Sequence, residues 1–290
     1  MPGTQGTIAD RLSQCRKLSQ QGLSAIDARR WDEAEQLMSK AIKTCPDDLT
    51  AKRYYAEALW NRGKQAAAIE QLEIVVERSA DGSLENVLDN SDGEIGPRVR
   101  LVEMLLAVDR LKEARRHAEA AIDMAPNVGS AWAARAQVLA RMGLFEEARA
   151  DYQRALAYMP EDRSVLLGMA EVYRELNKPQ EALAVLNRLS DTYSLDSVPK
   201  EVIHLQGLAL AAQGRFSAAA ESYERIIALE GATADNYFDL ADAHWQAGCH
   251  DKAVQAARQA LLLDPLHGRS HKLLERMQAG MKNRFDGFVR

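Results

Sequence analysis

Few side chains in this sequence have the type and spacing that catalysis or metal binding requires. His267 and His271 are four residues apart, a spacing that lets two imidazoles on one helix face bind zinc. No glutamate follows the first histidine, and no third ligand lies nearby in the sequence. None of the other histidines forms a ligand pair by spacing: His117, His204, His244 and His250. We therefore expect no metal site.

Motifs that position a nucleophile or a phosphate group are also missing. The sequence has no GxxxxGK[ST], no GxSxG and no GxGxxG that opens a helix after a strand. The cysteines Cys15, Cys45 and Cys249 show no CxxC spacing, and no obvious base lies beside Cys15 or Cys45. These observations predict a protein without enzymatic activity and without a cofactor.

Composition narrows the class of protein further. The 290 residues are 47% hydrophobic and 27% charged, a balance typical of a soluble globular chain. Lys and Arg number 37 against 42 Asp and Glu, which gives a net charge of −5. This charge disfavours a protein whose affinity comes from neutralising the phosphates of nucleic acid. Aromatic residues are only 6%, and the scarcity of Val/Ile runs makes a β-sandwich or barrel a poor fit.

The sequence also favours a location in the cytoplasm. The first residues lack the basic and apolar regions of a secretory signal. No apolar stretch reaches the roughly 18 residues needed to span a bilayer, so we expect no membrane insertion. An odd number of cysteines without CxxC spacing fits a reducing compartment.

A repeat with a 34-residue period organises most of the chain. It is clearest in residues 129–162, GSAWAARAQVLARMGLFEEARADYQRALAYMPED. Numbered within this block, small, aromatic, glycine and proline residues occupy positions 4, 8, 15, 17, 20, 24, 27 and 32. These are Trp132, Ala136, Gly143, Phe145, Ala148, Tyr152, Ala155 and Pro160. The block resembles the tetratricopeptide repeat family, in which each unit is two antiparallel helices, A and B.

An alanine at position 20 carries the same register along the chain. Seven alanines fall there: Ala34, Ala68, Ala114, Ala148, Ala182, Ala219 and Ala253. Their spacings of 34, 46, 34, 34, 37 and 34 imply two insertions, 83–94 and 197–199. We therefore predict an N-terminal extension over 1–14, a repeat region over 15–267, and a capping helix with a basic tail over 268–290. The seven repeats are 15–48, 49–82, 95–128, 129–162, 163–196, 200–233 and 234–267.

Physical reasons explain why these positions recur. Small residues at positions 8 and 20 let helix A and helix B approach closely where they cross. Glycine at position 15 tolerates the positive φ that ends a helix, and proline at position 32 stops helix B. Each helix is amphipathic, and stacking of neighbouring units buries the apolar stripes continuously. The resemblance thus implies an all-α fold, a right-handed α-solenoid superhelix with a C-terminal capping helix.

Two segments depart from the repeat. Residues 81–96, DGSLENVLDNSDGEIG, carry five acidic residues and no basic residue, which indicates an acidic surface loop. From Gly268 onward, six Lys or Arg residues stand against two acidic residues. Either segment is a solvated surface or a docking site for a partner, and the sequence leaves both interpretations open.

Family resemblance also suggests where a partner would bind. In tetratricopeptide repeat proteins helix A lines a concave groove, mainly through positions 2, 5, 6, 9, 12 and 13. Carried onto this sequence, the rule predicts a groove formed by Arg53, Tyr54, Glu57, Trp60, Arg100, Glu103, Gln137, Arg141, Glu171, Arg174, His204, Phe238, Asp239, Asp242 and Trp245. Large aromatic residues are favoured anchors in such a groove, which singles out Trp60 and Trp245 at position 12. The competing interpretation is that each indole covers a helix of the neighbouring repeat.

No three successive repeats supply the Lys, Asn and Arg side chains with which co-chaperones of this family clamp a C-terminal carboxylate. We therefore expect a non-catalytic scaffold that binds a peptide or helix of another protein in the groove. The alternative is a structural subunit that self-associates, or organises a larger complex end to end, through its basic tail and acidic last repeat.

Overall fold

A computed structural model describes residues 8–79, 95–194 and 197–287 of the chain. The predicted insertion 83–94 lies outside these residues. All regular secondary structure in the described ranges is helical, which confirms the all-α prediction. The helices are α1 Ile8–Asp27, α2 Trp31–Thr44, α3 Leu49–Asn61, α4 Gln65–Ser79, α5 Gly96–Ala107, α6 Leu111–Met124, α7 Gly129–Arg141, α8 Phe145–Tyr158, α9 Arg163–Glu175, α10 Pro179–Asp191, α11 Lys200–Ala212, α12 Phe216–Glu230, α13 Ala234–Gln246, α14 His250–Leu263 and α15 Gly268–Gly287.

The chain divides into two compact units, Met1–Tyr158 and Met159–Arg290. The first unit contains α1 to α8, and the second contains α9 to α15. Within each unit, every helix packs against the next one along the chain. The odd-numbered helices α1 to α13 occupy the place of helix A, and the even-numbered helices that of helix B. This is the arrangement of a helical repeat protein.

The helices of each pair meet at small side chains. All seven alanines at position 20 are buried, and none is more than 2% exposed. Position 8, on the facing helix, carries Gly207 in α11, where an added Cβ would lie only 2.7 Å from Cε1 of Tyr223. Larger side chains at position 24, such as Leu72 and Leu186, fill the adjacent layer and are fully buried. The helix pairs therefore pack as closely as the repeat pattern predicts.

The turn between the two helices has the same backbone conformation in every repeat. Gly143 has a φ of 76°, and its amide donates to the carbonyl of Ala140 at 3.0 Å. The amide of Leu144 donates to the carbonyl of Leu139 at 2.9 Å, which completes the paired hydrogen bonds of a Schellman motif. All seven residues at position 15 have positive φ: Arg29, Gly63, Asp109, Gly143, Asn177, Gly214 and Gly248.

The three residues that replace glycine at position 15 therefore hold a conformation that costs L-amino acids about 1–2 kcal/mol. Arg29 is the least suited, because Asp and Asn tolerate positive φ better than other residues. We expect Arg29→Gly to raise the free energy of unfolding by about 0.5–1 kcal/mol, after the entropic cost of glycine in the unfolded chain is subtracted. Urea denaturation measures this change.

Two variants serve as controls for this prediction. Arg29→Ala keeps the backbone conformation and removes the side chain, so it should leave stability nearly unchanged. Gly143→Ala should lower stability by about 1 kcal/mol through the backbone alone, because nothing lies within 4 Å of the added Cβ. Equal stabilisation by Arg29→Ala and Arg29→Gly would contradict the explanation based on φ.

The helix crossing in the fourth repeat provides a second prediction. Ala148 is 0% exposed, so the larger side chain of Ala148→Leu has no space at the crossing. We expect this variant to lose more than about 2 kcal/mol of stability. Thermal melting should show the loss, whereas Ala150→Leu, at an exposed position of the same helix, should melt close to the unmodified protein.

Candidate functional site

The residues of the predicted groove all lie on odd-numbered helices, and none of them is buried. We call the exposed surface of the odd-numbered helices in each unit its A-helix face. The first unit contributes Arg53, Tyr54, Glu57, Trp60, Arg100, Glu103, Gln137 and Arg141. The second unit contributes Glu171, Arg174, His204, Phe238, Asp239, Asp242 and Trp245.

Three predicted residues of the first unit form one ion-pair network. Nε and Nη2 of Arg100 donate to the two carboxylate oxygens of Glu57, at 2.7 and 2.9 Å. Nη1 of the same guanidinium donates to Oε2 of Glu103 at 2.7 Å. Hydrogen bonding to Glu57 raises the pKa of Arg100, so this guanidinium remains charged. The bidentate contact joins α3 to α5 and fixes the positions of both charges.

Aromatic side chains of the first unit are partly exposed and partly packed. Tyr54 packs against the buried cluster of Met38, Ala41 and Ala51, and the guanidinium of Arg53 lies 5.7 Å from its ring centroid. Trp60 is half-buried and packs against the main apolar cluster of this unit. Trp60 therefore combines an exposed edge with a contribution to the core. Arg141, at the end of α7, forms an ion pair of 3.1 Å with Asp109 of the turn between α5 and α6.

In the second unit, His204 and Asp239 meet across neighbouring A helices. Nε2 of His204 is 2.9 Å from Oδ2 of Asp239, and the imidazole lies 5.9 Å from the ring of Tyr223. Burial raises the pKa of Tyr223, so its hydroxyl stays protonated near neutral pH. The contact between His204 and Asp239 joins α11 to α13.

The last helix supplies residues that the sequence analysis did not assign to the groove. Nη1 of Arg269 is 3.3 Å from Oδ1 of Asp235, and its guanidinium lies 4.0 Å from the ring centroid of Phe238. Arg276 approaches Asp242 at 3.5 Å. Both ion pairs join residues 34 positions apart, so continuing the repeat register into α15 predicts them. Two basic residues of the predicted tail thus neutralise acidic residues of α13.

Three further predicted residues lie apart from these ion pairs. Arg174 forms an ion pair with its neighbour Glu175 at 2.5 Å. The indole of Trp245 lies 4.4 Å, centroid to centroid, from the ring of His250 at the start of α14. Partial desolvation raises the pKa of Glu171, whose side chain keeps an exposed part at the surface. These three sites are therefore not joined into the networks around Asp239 or Glu57.

The two histidines at metal-ligand spacing serve structural roles. His267 lies 2.7 Å from the hydroxyl of Ser270 and 3.2 Å from the carboxylate of Asp235. Nε2 of His271 is 2.9 Å from the carbonyl oxygen of Pro265. Across the part of the chain that the structure describes, no group of three His, Cys, Asp or Glu side chains could hold a metal ion. None of the described helices is both long enough and apolar enough to cross a membrane.

Solved structures show the same fold at low sequence identity. A tetratricopeptide repeat protein from Parabacteroides merdae is 13% identical, with a TM-score of 0.61 over 92% of this chain and 99% of that one. The C-terminal part of a repeat protein from Cytophaga hutchinsonii is 15% identical, with a TM-score of 0.62 over 88% and 99%. YrrB, described as a tetratricopeptide repeat protein with an unusual peptide-binding site, is 18% identical, with a TM-score of 0.58 over 68% and 97%.

Family models match most of the chain. One tetratricopeptide repeat model matches residues 19–83, 100–156 and 204–267, and a second matches residues 139–197. No curated protein sequence matches the chain. The matched segments extend over more than half of the chain and include helices of both compact units. The chain therefore belongs to the tetratricopeptide repeat family.

Proposed function

We propose that this protein is a non-catalytic scaffold whose A-helix face binds a peptide or a helix of another protein. The observation that carries the proposal is the ordered network of side chains on this face. Glu57, Arg100 and Glu103 hold one another in the first unit, and His204 contacts Asp239 in the second. Groups that are already fixed lose less conformational entropy when a partner binds.

Exposed aromatic surface on the same face supports a protein partner. Trp60 and Trp245 each leave part of the indole accessible on an A helix. Aromatic side chains with one packed face and one open face are frequent anchors at protein interfaces. The similarity to YrrB, which is described as having a peptide-binding site, agrees with this proposal.

End-to-end assembly through the basic tail receives less support. That alternative requires basic residues of α15 to be available for the acidic last repeat of another copy. Arg269 and Arg276 instead contact Asp235 and Asp242 of the same chain. Their charges are already partly neutralised, which weakens the attraction between copies.

A cytoplasmic site of action fits the cysteines. Cys15, Cys45 and Cys249 all carry free thiols, as expected in a reducing compartment. Burial raises the pKa of Cys15 to about 12, so its thiol is not available as a nucleophile near neutral pH. This agrees with a non-catalytic role.

The two tryptophans of the A-helix face provide the test. We expect Trp60→Ala and Trp245→Ala each to weaken partner binding about tenfold or more, because a buried aromatic anchor contributes roughly 2 kcal/mol. Partners should first be captured with the intact protein, and affinities then measured with the purified partner. Melting curves of the same variants distinguish the loss of contact with the partner from a loss of stability of the folded protein.

Trp132 provides a matched control on another A helix. Its indole donates to the carbonyl of Pro126 at 2.8 Å and lies against the guanidinium of Arg154, so its contacts are within the first unit. Trp132→Ala should lower the melting temperature and leave affinity nearly unchanged at temperatures where the variant is folded. If all three variants lose affinity only in proportion to their stability, the A-helix face does not carry the binding site.

A further inference from the structure

Two cysteines of the first repeat occupy positions that meet in another repeat. Cys15 stands at position 1, within α1, and Cys45 stands at position 31, directly after α2. In the fifth repeat the same positions hold Arg163 and Tyr193, and the guanidinium lies 4.0 Å from the ring centroid. Because the helices of a pair are antiparallel, the start of a repeat lies beside the end of its second helix. The repeat geometry therefore places the two thiols side by side.

Hydrogen bonds bring both cysteines to one carbonyl group. Sγ of Cys15 donates to the carbonyl oxygen of Ala41 at 3.8 Å, and the amide of Cys45 donates to the same oxygen at 2.8 Å. Burial raises the pKa of Cys15, and hydrogen bonding between its thiol and that of Cys45 raises this pKa further. The two sulfur atoms are thus neighbours between α1 and the end of α2.

The surroundings of the two thiols differ. Cys45 is partly exposed, so a small oxidant in solution reaches its sulfur first. Cys15 is buried, and its thiol donates to Oδ2 of Asp48 at 3.4 Å. This carboxylate is held in place as the cap of α3, because its Oδ1 accepts the amide of Ala51 at 2.9 Å. One thiol is therefore open to oxidation, and the other lies behind it beside a fixed proton acceptor.

We propose that Cys15 and Cys45 form a reversible disulfide bond when hydrogen peroxide oxidises the protein. The Cys45 thiolate attacks one oxygen of the peroxide, the O–O bond breaks, and a sulfenic acid and hydroxide form. This hydroxide takes up the proton that the Cys45 thiol released. The sulfur of Cys15 then attacks that of Cys45, the S–O bond breaks, and the departing hydroxide receives the Cys15 proton through Asp48. Two thiols are oxidised to one disulfide, and the peroxide is reduced to two molecules of water.

The disulfide would join α1 covalently to the end of α2. Such a link restricts the opening of the first helix pair, because it limits the conformations that the unfolded segment can adopt. In a reducing compartment disulfides of this kind are usually transient, since cellular dithiols reduce them again. The inference concerns the first repeat alone and does not rest on the proposed binding function, so its test needs no partner.

Oxidation of the full-length Cys249→Ser variant tests the proposal. Cys249 is exposed, and its removal prevents disulfides between copies. The folded protein is treated with hydrogen peroxide, the remaining thiols are blocked with N-ethylmaleimide, and the chain is digested with trypsin without reduction. We expect the tryptic peptides 12–16 and 44–52 to be joined by a disulfide, and dithiothreitol to separate them. Before blocking, the intact mass should be lower by the mass of two hydrogen atoms.

Two further variants in the same background separate the roles of the two thiols. In Cys45→Ser, Cys15 should remain a free thiol, because burial keeps the oxidant away from its sulfur. In Cys15→Ser, Cys45 should stop at the sulfenic acid, which dimedone traps, because no second thiol lies beside it. Cys45 is partly exposed, so Cys45→Ser should keep the fold and is informative even if Cys15→Ser does not fold.

The rate of linking shows whether the fold positions the sulfur atoms. The linked peptides should form at least about tenfold faster in the folded protein than in urea, because the fold holds the two thiols together. Equal rates overturn the inference. Oxidation of Cys45 to a sulfinic acid without linked peptides also overturns it, as does equal oxidation of Cys15 in the presence and absence of Cys45.

Discussion

Close contact between two helices at small side chains is the constraint on which this structure depends. Each repeat buries an alanine at position 20 against a partner helix, and in the sixth repeat the ring of Tyr223 packs so closely on Gly207 that a Cβ there has no room. Such contact is possible only if the turn between the helices is tight and identical in every repeat. The residues at position 15 provide this turn through positive φ, even where Arg29 replaces glycine. The separation and direction of the helices follow from these two features.

The sequence is sufficient to predict the fold because the constraint is local. Alanine at position 20, glycine at position 15 and proline near the end of helix B recur at fixed spacing, and each has one structural explanation. The family models and the similar structures confirm the fold that the repeat indicates. Arg29 provides further support, because the repeat imposes positive φ on a residue that does not favour it.

The contacts between surface side chains could be predicted from the sequence only in part. The repeat register places the candidate residues on the A helices, but it does not specify which of them contact one another. The pairing of Arg100 with Glu57 depends on the distance between α3 and α5 and on the side-chain rotamers that packing permits. Arg276 belongs to the predicted capping helix and basic tail over 268–290, and its 34-residue spacing from Asp242 continues the repeat into α15.

The order in which the helices pack also affects how the chain reaches its structure. Within each compact unit, helices that touch are mostly neighbours along the chain, so most contacts between helices lie within one repeat or between successive repeats. Proteins of such low contact order fold quickly, because little loop entropy is lost before favourable contacts form. A helix pair can begin to pack as soon as its second helix has left the ribosome, before the rest of the chain is made. We therefore expect folding during synthesis to proceed repeat by repeat within a unit. The apolar side that the newest helix pair exposes is then covered by the next helix pair.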